Sequence, residues 1–188
     1  MPNQFKALCL TPLSALIVAL GIAPANAIPG QNVSSFLKWV KSNPQLPAVK
    51  YDNQFPSYEG YNGANYHGRK DNLYFHARAT SRQGTITIES VVISDDSSIK
   101  FSRHNPKAIK IIRGIYGSKI ANDFSSSQYF VEVDEYSFLR GKQYGYAVSQ
   151  VENETGTNFE IFLLKDLQYI IDLTRSCHAS KHQATCNR

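Results

Sequence analysis

Two histidines are the side chains of this sequence best suited to acid–base chemistry. His76 lies in an alternating segment, His104 follows Arg103 just before a helix signal, and Asp95-Asp96 lies between them in the sequence. An imidazole beside a carboxylate can act as a general base in hydrolysis. Since the chain has five histidines, such pairs arise easily by chance. A hydrolase using His76 or His104 is therefore an alternative hypothesis rather than the leading one.

Motifs that would fix a reaction or a cofactor are missing from the sequence. It has no G-x-S-x-G elbow, no G-x-x-x-x-G-K-[ST] phosphate loop, no H-E-x-x-H pair and no dinucleotide fingerprint. Residues 95–98 offer too few oxygens for a calcium loop and are typical of a hairpin turn. We therefore predict no cofactor and no metal ion, and we favour a protein without enzymatic activity.

Cys177 and Cys186 allow two structures near the C-terminus. Together with His178 and His182 they supply two thiolates and two imidazoles, the ligand set of a structural zinc site. However, Cys177 and His178 are adjacent, and eight residues separate Cys177 from Cys186, more than separate the paired cysteines of a zinc finger. A disulfide is favoured because the chain is expected to be exported, as argued next. Unpaired or intermolecular thiols are the remaining alternative.

The first 27 residues have the pattern of a secretory signal peptide. Lys6 gives a positive start, an apolar segment spans residues 7–23, and Ala25-Asn26-Ala27 supplies the small residues of a cleavage site. The apolar segment is short for a membrane anchor, which needs about 20 residues. Cys9 lies near the start of this segment rather than after it, which argues against a lipoprotein. We expect an exported protein, periplasmic or extracellular, that consists of residues 28–188 and has no membrane span.

Tyrosines concentrated in residues 44–71 form a first candidate binding surface. Tyr58, Tyr61 and Tyr66 are interspersed with glycines and prolines, which predicts a long irregular loop. Long loops are often functional, and each tyrosine ring offers an apolar face and a polar tip to a carbohydrate or a peptide. The alternative is that these rings lie on the sheet and fill its core.

A second candidate surface is basic. Lys107, Lys110 and Arg113 step by three along a predicted helix. Three further cations lie nearby in the sequence: Lys100, Arg103 and Lys119. Such a face could bind an anionic envelope polymer or an acidic protein, or it could be the solvated side of an amphipathic helix. We do not expect nucleic acid as a partner, because the chain is predicted to be exported and its net charge is only +5.

Changes of hydrophobic period predict the elements that position these side chains. Helical spacing predicts helices at 32–42 and 105–123, the second one starting at the Asn-Pro signal of residues 105–106. Alternation predicts strands at 72–80, 85–94, 99–103, 129–133, 142–151 and 158–164. Residues 165–173 fit a helix or the second strand of a hairpin, and their density of Ile, Leu and Tyr favours the hairpin.

Size and composition fit one globular domain. The chain has 188 residues, 42% of them hydrophobic and 19% charged, which excludes a disordered chain and a polytopic membrane protein. No internal repeat is visible. We predict an α+β fold: a single domain with an antiparallel sheet of about six or seven strands, packed by two helices, after a cleaved signal peptide. The leading hypothesis is a non-catalytic binding or accessory protein of the cell envelope or extracellular space. A self-assembling envelope protein is a further alternative.

Overall fold

The structure, a computed structural model, describes residues 29–52, 63–94, 99–151 and 156–179. Several sequence predictions fall outside these residues: the signal peptide, Tyr58, Tyr61, the Asp95-Asp96 pair and Cys186, the expected disulfide partner of Cys177. They stay predictions.

The described residues form three helices and one antiparallel sheet of eight strands. The helices are α1 (Val33–Ser42), α2 (Pro106–Ser125) and α3 (Leu167–Ala179), the last one preceded by a 3-10 turn at Leu164–Asp166. The strands are β1 (Lys50–Asp52), β2 (Ala64–Lys70), β3 (Leu73–Ala79), β4 (Ile86–Ile93), β5 (Gln128–Val133), β6 (Tyr136–Arg140), β7 (Tyr144–Val151) and β8 (Gly156–Leu163). The predicted α+β class is confirmed.

The strand order β1-β2-β3-β4-β8-β7-β6-β5 divides the sheet into two halves of the same topology. In each half a helix precedes a meander of four strands, α1 before β1–β4 and α2 before β5–β8. The last strands of the two meanders pair in the middle, where Val91 lies opposite Phe159. This repeat is one of topology, and the sequence shows no counterpart of it.

Local capping explains why α1 and α2 begin where the sequence predicts. The Asn32 side chain accepts a hydrogen bond from the backbone N–H of Ser35 at 2.9 Å. The Asn105 side chain accepts from the N–H of Lys107 at 3.0 Å, and proline follows as the first helical residue. Each cap satisfies an N–H group that has no partner within the helix.

Helices α1 and α2 pack on one face of the sheet and form the larger core with it. Phe159 is fully buried at the centre of this core, and four rings surround its own at centroid distances of 5.2 to 6.0 Å: Phe101, Tyr116, Phe124 and Tyr146. Helix α3 covers part of the opposite face. Its Leu167, Ile170 and Ile171 share a second core with residues that include Phe138 and Phe162.

Residues 167–173 are helical, so the predicted hairpin is wrong. A strand after β8 would need an edge to pair with, but β8 already lies between β4 and β7. The side chains Leu167, Ile170 and Ile171, spaced as on one helical face, are buried instead against the sheet. The structure therefore has three helices in its described part, where the sequence predicts two.

The predicted strand at 99–103 is also wrong. Residues 99–102 are irregular and lead into a turn at residues 103–104 before α2. The Phe101 N–H donates to the Thr157 hydroxyl oxygen at 3.1 Å, and the Asn105 side chain donates to the Lys100 carbonyl at 2.9 Å. The edge of β4 that the predicted strand would have joined is paired with β8. Three strands, β1, β2 and β6, lie outside the predicted ones, so the described residues form eight strands rather than six or seven. β1 and β2 lie within the expected irregular loop at 44–71.

None of the helices in the described ranges has both the length and the apolar character needed to cross a lipid bilayer.

Candidate functional site

A row of polar side chains crosses the sheet on the face that α3 partly covers. Pairing places His76 of β3 opposite Ser90 of β4, and Ser90 opposite Glu160 of β8. Residues directly opposite each other project from the same face of a sheet. Glu160 in turn lies opposite Ala147, which belongs to the core under α3. The row therefore faces α3 and not the α1/α2 core.

A cavity of about 100 Å³ lies over this row. Seven side chains with polar groups line it: Tyr74, His76, Arg78, Ser90, Tyr136, Asn158 and Glu160. Ile170 and Leu173 of α3 form part of its apolar wall. We call this cavity the polar cleft. It has room for on the order of ten water molecules, since one water molecule needs about 10–15 Å³ of cavity volume.

Four of the polar side chains that line the cleft are almost inaccessible to solvent. Ser90 and Asn158 are 7% exposed, His76 is 8% exposed and Glu160 is 6% exposed. The Ser90 hydroxyl donates to Asn158 Oδ1 at 2.8 Å, and Asn158 Nδ2 donates to Glu160 Oε1 at 3.2 Å. This chain of hydrogen bonds fixes the orientation of the Asn158 amide and holds one oxygen of the Glu160 carboxylate.

His76 enters the cleft as a neutral imidazole. Its Nε2 lies 3.3 Å from Asn65 Oδ1, and because an amide oxygen can only accept, Nε2 carries the proton of the neutral ring. Burial lowers the pKa of His76 to about 4, and the positive charges of Arg78 and His67 act in the same direction. The nearby Asp52 carboxylate opposes this shift. At neutral pH the ring is therefore uncharged and a weak base.

The two charged groups of the cleft do not pair with each other. Between described residues the structure holds two ion pairs, His67–Asp52 and Arg175–Asp172, each at 3.4 Å. Arg78 and Glu160 belong to neither of them. The cleft thus contains one cationic and one anionic side chain at separate positions.

Of the predicted contact tyrosines, Tyr66 is described and lies in the core. It is 5% exposed, its ring lies 5.8 Å from that of Phe36, and its hydroxyl donates to the Arg82 carbonyl at 3.1 Å. Tyr66 therefore follows the alternative interpretation of the sequence, in which these tyrosine rings lie on the sheet and fill its core. Tyr66 packs beneath α1, on the opposite side of the sheet from the polar cleft.

The predicted basic face is present as an exposed surface of α2. Lys107, Lys110 and Arg113 are all exposed. His104 is also exposed, in the turn that leads into α2. Because α2 packs on the face opposite the cleft, the structure does not bring His104 or the basic face together with His76.

Ser90, Asn158 and Glu160 were missed by reasoning from sequence. Ser90 carries no signal in the sequence, since it lies between the apolar Ile88 and Val92 on its face of β4. The signal on β8 is that the polar Asn158 and Glu160 alternate with the apolar Phe159 and Ile161. Such alternation usually indicates a solvated face. Only the pairing of β4 with β8, which α3 then partly covers, turns this face into a cleft.

Comparison with known proteins finds no matching family model, no matching curated protein and no matching solved structure. Within the described ranges, no three His, Cys, Asp or Glu side chains are grouped so that they could hold a metal ion.

Proposed function

We propose that the protein is an exported, non-catalytic binding protein that holds a small polar ligand in the polar cleft. The observation that carries this proposal is the burial of His76, Ser90, Asn158 and Glu160 around one cavity. Burying polar groups is unfavourable unless partners are supplied. Small-molecule sites are typically concave and partly apolar, with a few convergent polar groups. The cleft has each of these features.

Two features favour binding over catalysis. A general base works best when its pKa lies near the operating pH, whereas the pKa of His76 is lowered to about 4. A serine nucleophile needs its proton directed at a base, whereas the Ser90 hydroxyl donates to the amide oxygen of Asn158. The same groups are well suited to fixing hydrogen bonds to a ligand.

The exported location in this proposal depends on the signal-peptide pattern of residues 1–27. The basic face of α2 is kept as a second contact surface, since Lys107, Lys110 and Arg113 are exposed and carry charge that an anionic envelope polymer or an acidic protein would neutralise. Tyr58 and Tyr61 are kept as candidate contacts with carbohydrate or peptide.

A hydrolase is the second candidate function, favoured by the row in which His76 faces Ser90 and Ser90 faces Glu160. Treatment with a fluorophosphonate that reacts with activated serines separates the two functions. The binding proposal expects no adduct at Ser90 by mass spectrometry. A stoichiometric adduct at Ser90, absent from a Ser90→Ala variant, would establish the hydrolase instead.

The binding proposal is tested by ligand-induced thermal stabilisation. Wild-type protein is screened against amino acids, amines, carboxylates and monosaccharides, and any compound that raises Tm is repeated on Glu160→Gln. The matched control replaces Lys107, Lys110 and Arg113 together by glutamine. We expect stabilisation that is reduced in Glu160→Gln and retained in the control. Stabilisation that survives Glu160→Gln and disappears in the control, or no stabilisation by any compound, would overturn the proposal.

A further inference from the structure

We infer that the ligand of the polar cleft is a small zwitterion such as a free α-amino acid, with its carboxylate at Arg78 and its ammonium group at Glu160. This inference rests on the proposed function, because it names the ligand class of the same site. It follows from the charges, the spacing and the size of the cleft.

Strand geometry holds the two charges apart. Arg78 lies opposite Ile88 on β4, and Ile88 lies opposite Phe162 on β8, two residues along from Glu160. Across the sheet the two residues are two strand spacings of about 4.8 Å apart, and along the strands they are two residues of about 3.3 Å each apart. These perpendicular components place the Cα atoms of Arg78 and Glu160 about 12 Å apart. Both side chains line the same cavity without forming an ion pair. A ligand with two opposite charges can therefore lie between them.

Glu160 is the better defined of the two contacts. It is 6% exposed, and Asn158 Nδ2 holds one of its oxygens at 3.2 Å. A buried carboxylate is costly unless a cation and further hydrogen bonds compensate for the lost water. An ammonium group provides both, because it carries a positive charge and three N–H donors.

Arg78 is suited to the other end of the same molecule. A guanidinium binds a carboxylate through two parallel hydrogen bonds, which fixes the orientation of the bound group. A ligand with a carboxylate alone would leave Glu160 buried without a cation, and one with an amine alone would leave Arg78 without an anion. The pair of charges therefore discriminates against both kinds of singly charged molecule.

The size and the lining of the cleft agree with a free amino acid. A cavity of about 100 Å³ holds on the order of ten non-hydrogen atoms if each takes the place of one water. Ile88 and Val92 of β4 and Ile170 and Leu173 of α3 provide apolar contacts for an aliphatic side chain. Leucine, with its two charged groups and a branched apolar side chain, is the probe that matches these features.

The test is isothermal titration calorimetry with three related probes on the wild-type protein. The probes are leucine, 4-methylpentanoate, which lacks the amine, and 3-methylbutylamine, which lacks the carboxylate. We expect leucine to bind at least ten-fold more tightly than either analogue. This comparison needs no variant. Leucine binding no more tightly than either analogue would overturn the inference.

Two variants assign the charges to their contacts. We expect Glu160→Gln to weaken the binding of leucine at least ten-fold and to leave the affinity for 4-methylpentanoate unchanged. We expect Arg78→Gln to weaken the binding of leucine to the same extent and to leave the affinity for 3-methylbutylamine unchanged. The inference would be overturned if a variant weakened the binding of leucine and of its paired analogue (4-methylpentanoate for Glu160→Gln, 3-methylbutylamine for Arg78→Gln) by the same factor. Circular dichroism and Tm establish that each variant is folded.

Glucose separates failure of this inference from failure of the proposed function. If glucose binds in a manner sensitive to Glu160→Gln while leucine does not bind, the zwitterion is wrong and the binding cleft stands. If neither glucose, leucine nor any compound of the thermal screen binds, both are wrong.

Discussion

The protonated Nε2 of His76 and the amide oxygen of Asn65 lie 3.3 Å apart on the sheet face that α3 partly covers. Both residues are buried. This contact determines which tautomer the ring adopts and leaves Nδ1 as the acceptor of the neutral imidazole. Charging the ring requires a second proton, at Nδ1, on a side chain that is only 8% exposed, and this links the cleft to the pH dependence of stability.

Acidification should destabilise the protein through His76. The pKa of His76 is lowered from 6.5 to about 4 in the folded state, so between these values the unfolded chain binds the proton and the folded one does not. The contribution of the neutral His76 ring to the free energy of unfolding is about 3 kcal/mol; it is present above pH 6.5 and is lost as the pH falls to 4. Urea unfolding of wild type and His76→Gln from pH 4 to 7 measures it. Wild type should lose stability relative to the variant on acidification, and parallel profiles would contradict this.

Glu89 should have the opposite effect. This carboxyl is fully buried on the α1/α2 face, and burial raises its pKa from 4.5 to about 8, although the neighbouring Tyr116 hydroxyl acts against the shift. The folded state therefore keeps a proton that the unfolded chain releases above pH 4.5. The protonated Glu89 therefore contributes about 5 kcal/mol to the free energy of unfolding below pH 4.5, and this contribution is lost as the pH rises through 8.

A Glu89→Gln variant tests this directly, because glutamine keeps the shape and does not ionise. Denaturant unfolding from pH 5 to 9 should show wild type losing stability relative to the variant, which becomes the more stable protein above pH 8. A constant difference between the two proteins across this range would contradict the assignment.

The two glycines of α2 should respond differently to alanine. Gly117 has φ 84° and ψ 173°, which interrupts the helix and is unfavourable for any L side chain. Gly117→Ala should therefore destabilise by about 1–2 kcal/mol or more. Gly114 is helical and exposed, and its new Cβ would meet only the end of the Gln45 side chain, which can rotate away. Gly114→Ala should be neutral or stabilising by up to about 1 kcal/mol. Equal Tm changes would show that Gly117 is not the kink.

Phe159 should dominate the larger core. It is fully buried and contacts four other rings, so Phe159→Ala should cost about 3–5 kcal/mol of unfolding free energy. Phe130 of β5, 43% exposed, is the matched control, and its change to alanine should cost less than about 1 kcal/mol. Guanidinium unfolding of both variants measures the difference, and similar losses would contradict the placement of Phe159.

Elements with a local signal could be predicted from sequence, and those that depend on distant pairing could not. Asn32 and Asn105 cap their helices through neighbours two or three residues away, so α1 and α2 were found. The composition of α3 suits a helix or a strand, so the sequence alone favours the wrong one. What decides the outcome is that both edges of β8 are already occupied, one by the preceding strand β7 and the other by β4, which lies far away in the sequence.

The candidate site shows the same limit. His76 was recognised by its chemistry, but Ser90, Asn158 and Glu160 resemble the solvated positions of ordinary strands. They become a site because β4 pairs with β8, a contact between residues about 70 positions apart, as the hydrogen bond from Ser90 to Asn158 shows (separation 68). No spacing within either strand contains that information.

The central claim is that the polar cleft, and not the basic face of α2, holds the ligand. Its most direct test is a titration of isotope-labelled protein with leucine, 4-methylpentanoate, 3-methylbutylamine and glucose in turn, followed by amide chemical shifts. The account predicts shift changes concentrated at Ser90, Asn158 and Glu160 and at the facing residues of α3. Changes confined to residues 107–119, or no change with any of the four compounds, would contradict it.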